Sequence, residues 1–540
     1  MLLLQQSLGR FLGIPCRLNP LNINLSHTRI RITVYITGIE LDRDQVFRIH
    51  LGPHMHNCYQ FIIPRLNGTD INKDFRKHLA LVIKGIAGFI IFGGRLKEVR
   101  KHIRQLQEIS KIPLIIASDL ERGLGQQLKG GTLFPPAMAL AKAAIKKGNI
   151  DPVNLGLVQD SFTALAAEAR YAGINTILAP VLDINTNPDN PIIGVRSFGE
   201  DNRTVSFFGT EMIRILQHNG ISACGKHFPG HGNTAVDSHV SLPFIDRSLT
   251  SLRRSELLPF RKAVDAGVDM LMLGHLDVPA LDPSGTPVSL SGKVVRFIRE
   301  ALQFNGLLIT DAMNMGGLCG FSEEEASLMA LRAGVDIILH PLHTENVVSY
   351  LRKKSYQPPD NIRLSGFRQS LLRFPDQELP GFKRNAALAV DLTAGCLTLP
   401  ETFTPNRDPI VVILTDEKEK QGISFVRSLR KNMPELSCIL MNQNRTVFQR
   451  VATMTAGKRT LITAVFSETR AWKESTGGWL QKSIATMTPI TDLFVSFGNP
   501  YLLRNIPAEK KLLTYWNAES AQKAAAAAIG KRARGKLPDE

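Results

Sequence analysis

Short apolar, β-rich runs recur between residues 60 and 340, most of them separated by long helix-like stretches. Eight stand out: Gln60–Leu66, Ala87–Phe92, Pro113–Ser118, Thr176–Val181, Ile221–Lys226, Asp269–Gly274, Gly306–Thr310 and Val335–Leu339. Nearly continuous hydrophobic strands alternating with helices signify a parallel sheet covered on both faces, because a strand buried on one side only would alternate with polar residues. Eight such units predict closure into a (β/α)8 barrel of TIM type, with an open doubly wound sheet as the competing topology.

The polar residues favour the barrel. Several of the runs end directly in a group capable of chemistry: Asp119 after IIAS, Asp183 after LAPVL, Lys226 and His227 after SACG, His275 after MLMLG, and Asp311 after GLLIT. Strands of one parallel barrel present their C-terminal ends to one face, so these side chains are expected to converge on a single mouth. Any one of them alone reads equally well as a turn residue.

After about residue 345 a basic, Pro-containing stretch (Lys353, Lys354, Pro358, Pro359) and an amphipathic segment around Ile362 to Phe374 read as a linker. A second set of runs follows at Ile410–Leu414, Cys438–Met441, Thr460–Val465, Leu493–Phe497 and Leu512–Tyr515, closed by an Ala-rich helix from Ala518 to about Ile529. The expected division is therefore an extension over 1–55, a catalytic barrel over 56–345, a linker with a helix over 346–400 and a smaller open-sheet α/β domain over 401–540. The first 50 or so residues fit no clear element and read as an extension or an over-long start.

Composition changes this picture little. With 44% hydrophobic and 21% charged residues, the 540-residue chain is of ordinary globular make-up. Six cysteines (Cys16, Cys58, Cys224, Cys319, Cys396, Cys438) without CxxC spacing argue against a zinc ribbon or a disulfide scaffold and for reduced, mostly buried thiols. The net charge of +17 is spread along the chain, and its densest run, Lys531 to Lys536, lacks interleaved aromatics, so no nucleic-acid partner is expected. The apolar stretch Ala80 to Phe92 is interrupted by Lys84 and is well short of the ~20 residues of a spanning helix, so no integral membrane segment is expected. Met1 to Cys16 lacks an early basic region and carries Arg10 inside its apolar part, a poor signal peptide, from which a cytoplasmic location is expected.

The segment after the fifth run, KHFPGHGNTAVDSH from Lys226 to His239, is polar and Gly-rich and should reach over the mouth. Asp237 and His239 are two apart, a spacing that lets a carboxylate accept from one imidazole N–H while the other nitrogen faces substrate. A metal site on His227, His231 and His239 is the rival reading; Lys226 beside His227 opposes a dication, and Pro229 and Gly230 break any helix that would align the ligands. A structural loop with satisfied histidines is the third.

KHFPGHGNTAVDSH followed by SLP closely resembles the signature of the bacterial β-N-acetylglucosaminidases of glycoside hydrolase family 3. Asp119-Leu-Glu-Arg-Gly123 with GGTLFPP downstream, APVLDINTNPDNPIIGVRSFGED from Ala179 to Asp201, and LLITDAMNM from Leu307 to Met315 extend the resemblance, as do SFGNPYLL and GKLP near the C-terminus. The resemblance implies a retaining glycosidase with Asp311 as nucleophile, His239 as acid/base and Asp237 as its partner. By the same analogy Asp119, Arg196, Lys226 and His227 bind the terminal sugar, with neither metal nor cofactor required, and His275 at its strand end reads either as a pocket wall or as a packed histidine. The implied substrate is a β-linked N-acetylglucosamine terminus of a chitin- or peptidoglycan-derived fragment. Two departures stand out: many relatives read Asp-x-Glu-Gly-Gly-Arg where this chain has Asp-Leu-Glu-Arg-Gly-Leu, and Gln127 occupies a position that is often a sugar-contacting arginine. Alternatives are a phosphorylase, because a histidine acid repels phosphate less than a carboxylate does, a β-glucosidase or β-xylosidase of the same fold, and a non-catalytic sugar-binding protein. Oligomeric state is not legible.

Overall fold

The computed structural model describes residues 57–234, 242–318, 320–357, 361–371, 378–398, 403–406, 408–415, 421–443, 448–455, 459–467 and 477–533, and the strands at 25–26 and 29–30. Within 57–353 the described strands run in parallel, in the order Arg65–Asn67, Gly88–Phe92, Ile115–Ser118, Thr176–Ile177, Ser222–Phe228, Met270–Leu273 and Leu307–Thr310. The circle closes through the eighth strand, Ile338–Leu339, which pairs with Ile62–Ile63 on one side and bridges Ile309 through Ile337 on the other. Pro64 divides the first strand into Ile62–Ile63 and Arg65–Asn67, so one chain segment pairs with the eighth strand and then with the second. All eight hydrophobic runs thus become strands of a closed barrel, and the open-sheet alternative is set aside.

The helices follow from equally local signals. Pro152–Ala172 begins with Asp151 accepting from the Asn154 N–H, has Pro152 in its first turn and stops at Gly173 with φ 86. Glu323–Ala333 starts in a capping box between Ser322 and Glu325. The last barrel helix, Thr344–Lys353, runs past the expected boundary at 345, because Val347, Val348 and Leu351 are buried against the barrel.

The stretch expected as a linker contains two helices, Ile362–Leu371 and Phe382–Gly395. The second packs on Ala137–Ala144 and Pro152–Ala172 of the barrel and on Glu519–Ala533 of the following domain. That domain is a five-stranded parallel sheet of Ile410–Thr415, Ser437–Met441, Leu461–Ser467, Leu493–Gly498 and Lys511–Leu513, in spatial order 2-1-3-4-5. Alternate residues serve opposite faces: Val411, Ile413 and Phe466 pack against Phe425 and Ile529, whereas Ile410, Val412 and Val465 pack against Leu480 and Ile484. Cys58, Cys224 and Cys396 are buried and Cys438 is exposed; Cys16 and Cys319 lie outside the described residues. Among the described residues no helix is long and apolar enough to cross a membrane.

Candidate active site

Parallel strands place their last residues on one rim, and the polar residues that end them meet there. Lys226, the fifth residue of Ser222–Phe228, donates to Asp119 Oδ1 at 2.7 Å and lies 2.7 Å from Glu121 Oε1. Arg196, from the loop after the fourth strand, grips Glu121 through Nε at 2.9 Å and Nη2 at 2.7 Å, a bidentate pair. Asp119 and Arg196 keep 28% and 27% of their side chains exposed, whereas Lys226 and Glu121 lie beneath them at 2% and 7%. Burial would raise the Glu121 carboxyl, but Arg196 and Lys226 outweigh it and hold it far below the ordinary range. Burial would likewise lower the Lys226 ammonium, and Asp119 with Glu121 keeps it above its usual value. Two carboxylates and two cations thus form a net neutral, ionised cluster.

A second network is built on Asp183, which is fully buried. Its carboxylate accepts from the His227 ring through Nδ1 at 2.7 Å, from the His227 backbone N–H at 3.3 Å and from the His231 N–H at 2.6 Å. Burial would raise this carboxyl, and His227 and His231 hold it below its ordinary value. The His231 ring bonds Thr234 Oγ1 through Nδ1 at 2.6 Å, its Nε2 has no partner among the described residues, and burial pushes its pKa down to about 4. Asn190 ties the same loop by donating to the His231 and Thr234 carbonyls.

Asp311 follows Leu307–Thr310, its Oδ1 accepting the Ala312 N–H at 2.8 Å. Burial would raise its carboxyl, but His227, His275, the Ala312 N–H and Lys226 together keep it below the usual value. His275 is buried, with Nδ1 on Ser289 Oγ at 2.7 Å and Nε2 at 3.1 Å from the Ala312 carbonyl, so it braces the turn that carries Asp311. The six expected residues Asp119, Arg196, Lys226, His227, His275 and Asp311 are therefore on one rim. Asp237 and His239 lie outside the described residues. The chain leaves the described part at Thr234, held by Asn190, and is described again from 242, where Phe244 bridges Asp277 just beyond the sixth strand.

Sequence reasoning missed Glu121 as a site residue and took Asp183 only as a strand end. For Glu121 the available signal was its place two residues beyond Asp119; for Asp183, a carboxyl at a buried strand end facing a two-histidine loop. Among the described residues no group of three or more His, Cys, Asp or Glu side chains is arranged to hold a metal ion, and His227 and His231 are engaged by Asp183 and Thr234.

The profile of the glycosyl hydrolase family 3 N terminal domain matches residues 58–356. A beta-hexosaminidase A from Pseudoalteromonas piscicida is 33% identical over 265 residues, which are 46% of this chain and 43% of that protein. A beta-N-acetylglucosaminidase/beta-glucosidase from Cellulomonas fimi is 29% identical over 340 residues, 59% of this chain and 57% of its own. The chain thus spans about half the length of these two curated relatives. Among solved structures, a glycoside hydrolase family 3 beta-N-acetylglucosaminidase from Paenibacillus sp. str. FPU-7 has a TM-score of 0.74 at 26% identity, with 88% of this chain and 96% of that one covered. The profile takes in more than half of the sequence and the whole of the closed barrel, including every described residue of the rim, and the chain belongs to glycosyl hydrolase family 3.

Proposed function

We propose that this protein hydrolyses terminal β-linked N-acetylglucosamine from chitin- or peptidoglycan-derived oligosaccharides with retention of configuration. The observation that carries this reading is Asp311, an ionised carboxylate on the same rim as the Asp119–Glu121–Arg196–Lys226 cluster, within a chain of this family. An ionised carboxylate is what a nucleophile at an anomeric carbon must be.

In the first step the Asp311 carboxylate bonds to C1 as the glycosidic C–O bond breaks, and His239 gives its proton to the departing oxygen. In the second step His239 takes a proton from water, the water oxygen bonds to C1, and Asp311 leaves as the free carboxylate. Asp237 fixes the tautomer of His239 and steadies the imidazolium. Asp119 and Arg196, the exposed members of the cluster, with Lys226 and His227 below and beside them, take the sugar hydroxyls and acetamido group. His275 forms the wall behind Asp311. Both chemical groups are side chains, so the scheme uses no cofactor.

The test is release from an aryl β-N-acetylglucosaminide by the full chain over a range of pH, with chitobiose and a disaccharide cell-wall fragment as second substrates. Loss of release in Asp311→Ala and in His239→Ala, and sugar products unchanged by added phosphate, are expected. No release by the native protein, undiminished release by Asp311→Ala, or sugar 1-phosphate formed with phosphate present, refutes the reading.

A further inference from the structure

We propose that the second domain positions the barrel's sugar-binding cluster, holding its two loops from outside, with Trp516 stacked on Arg122 as the main grip. This rests on the reading of the rim as the terminal-sugar site. The loop after the third strand carries Asp119 and Glu121 and then Arg122, one of the departures noted in the sequence. The Arg122 guanidinium carbon lies 5.1 Å from the centre of the Trp516 ring, and Trp516 is only 2% exposed, so the cation–π contact is shielded from water. The Arg122 backbone is equally constrained: its N–H donates to Gln126 Oε1 at 2.9 Å and its carbonyl accepts from Phe134 at 2.7 Å. Glu121 is the adjacent residue, with little slack to absorb a movement of Arg122.

The same loop is held a second time. Glu168, fully buried, accepts from the Thr132 N–H at 2.8 Å, the Thr132 hydroxyl at 2.5 Å and the Asn385 amide at 2.7 Å, which joins the loop to helix Phe382–Gly395. That helix packs on Glu519–Ala533 of the second domain.

The loop that supplies Arg196 is gripped by the same domain. Arg504 donates to Asp189 at 2.6 Å, and the Tyr501 hydroxyl lies 3.9 Å from Met138 Sδ. Within the same loop Asn185 accepts the Gly194 N–H at 3.0 Å, two residues before Arg196. Both halves of the Glu121–Arg196 pair are therefore braced from beyond residue 380. Trp516 and Arg122 are positioning residues in this scheme: neither touches the reacting atoms.

The experiment uses the full chain with Arg122→Ala, Trp516→Ala and Trp516→Phe, and reads KM and kcat on an aryl β-N-acetylglucosaminide, the Kd for N-acetylglucosamine, and thermal unfolding. Arg122→Ala and Trp516→Ala are expected to raise KM and Kd about tenfold with kcat nearly kept, and Trp516→Phe to restore most of the affinity, as a displaced binding site rather than a lost catalyst requires. The double variant should lose no more than either single one, because both remove one contact. A folded Arg122→Ala protein with KM and Kd within about twofold of native, or with its loss confined to kcat, overturns the proposal; if Trp516→Ala does not fold, Arg122→Ala alone decides. Native protein that neither turns over the glycoside nor binds the sugar brings down the terminal-sugar reading, and this inference with it.

Discussion

Replacing Glu121 by Gln keeps the shape of the side chain and removes one charge from a cluster that is balanced only as a whole. In the native protein two carboxylates face two cations; in Glu121→Gln, Asp119 alone faces Arg196 and Lys226, the latter 2% exposed. Leaving a buried charge without its partner costs about 3–5 kcal/mol, and because Asp119 stays and Arg196 is a quarter exposed, about 2–4 kcal/mol is expected. That is a large share of a total stability of roughly 5–15 kcal/mol. The folded Glu121 carboxyl is held below its ordinary value, so its contribution is present above the unfolded value and is lost only as the pH falls through the folded one. The variant is therefore to be compared near neutrality, where the native pair is fully charged.

Urea unfolding followed by circular dichroism is the appropriate assay, since it follows the helices of the whole chain, whereas the three tryptophans, Trp472, Trp479 and Trp516, all come late in the sequence. A double-mutant cycle with Lys226→Met supplies the control: once Lys226 is gone, Glu121→Gln leaves Asp119 against Arg196 alone, so its cost should shrink by about 1 kcal/mol or more. A loss below about 1 kcal/mol for Glu121→Gln, or the same loss in both backgrounds, would refute the view that this cluster is a single electrostatic unit.

Three further outcomes follow from the same geometry. Asp183→Asn replaces an acceptor-only group serving His227 and His231 by one with a single acceptor oxygen, so kcat/KM on an aryl N-acetylglucosaminide should fall by about tenfold or more, and native activity would contradict the bracing role. His78, His231 and His340 are buried and each pushed down to about 4, so between pH 6.5 and 4 the unfolded chain takes up protons that the folded chain refuses. Stability should therefore drop as pH is lowered through that window, by up to roughly 3 kcal/mol for each ring, and His231→Gln should flatten part of the Tm–pH curve; a curve unchanged by it contradicts the assignment. A Cβ at Gly232 would sit 1.8 Å from the Ile184 carbonyl oxygen, so Gly232→Ala must shift the loop that leads to Asp237 and His239; kcat should fall about tenfold or more in a protein that still folds, and an unchanged kcat in parallel kinetic and thermal measurements contradicts this.

The barrel was legible because its strands are buried on both faces, so each appears as an apolar run whose end is marked by the first polar residue. Asp119, Lys226, His275 and Asp311 could be placed on one rim from that alone, and Arg196 from its resemblance to the family pattern. What a linear reading cannot supply is pairing across the barrel: Glu121 meets Arg196, 75 residues on, only because the third and fourth strands are neighbours, and meets Lys226 because the fifth comes next. Asp183 was placed on the rim with the other strand ends, but its bracing role was hidden for a related reason, since a buried carboxyl is identified by the N–H groups that satisfy it, and those belong to a different strand and loop. Helix Phe382–Gly395 read as linker because few of its positions are strongly apolar; its decisive residue is Asn385, a polar side chain buried to meet Glu168. In each case the missed residue is polar, buried and satisfied from far along the chain. Hydrophobic periodicity therefore located the rim of this barrel, while the residues that hold its charges in place emerge only from asking of every buried polar group which partner pairs with it.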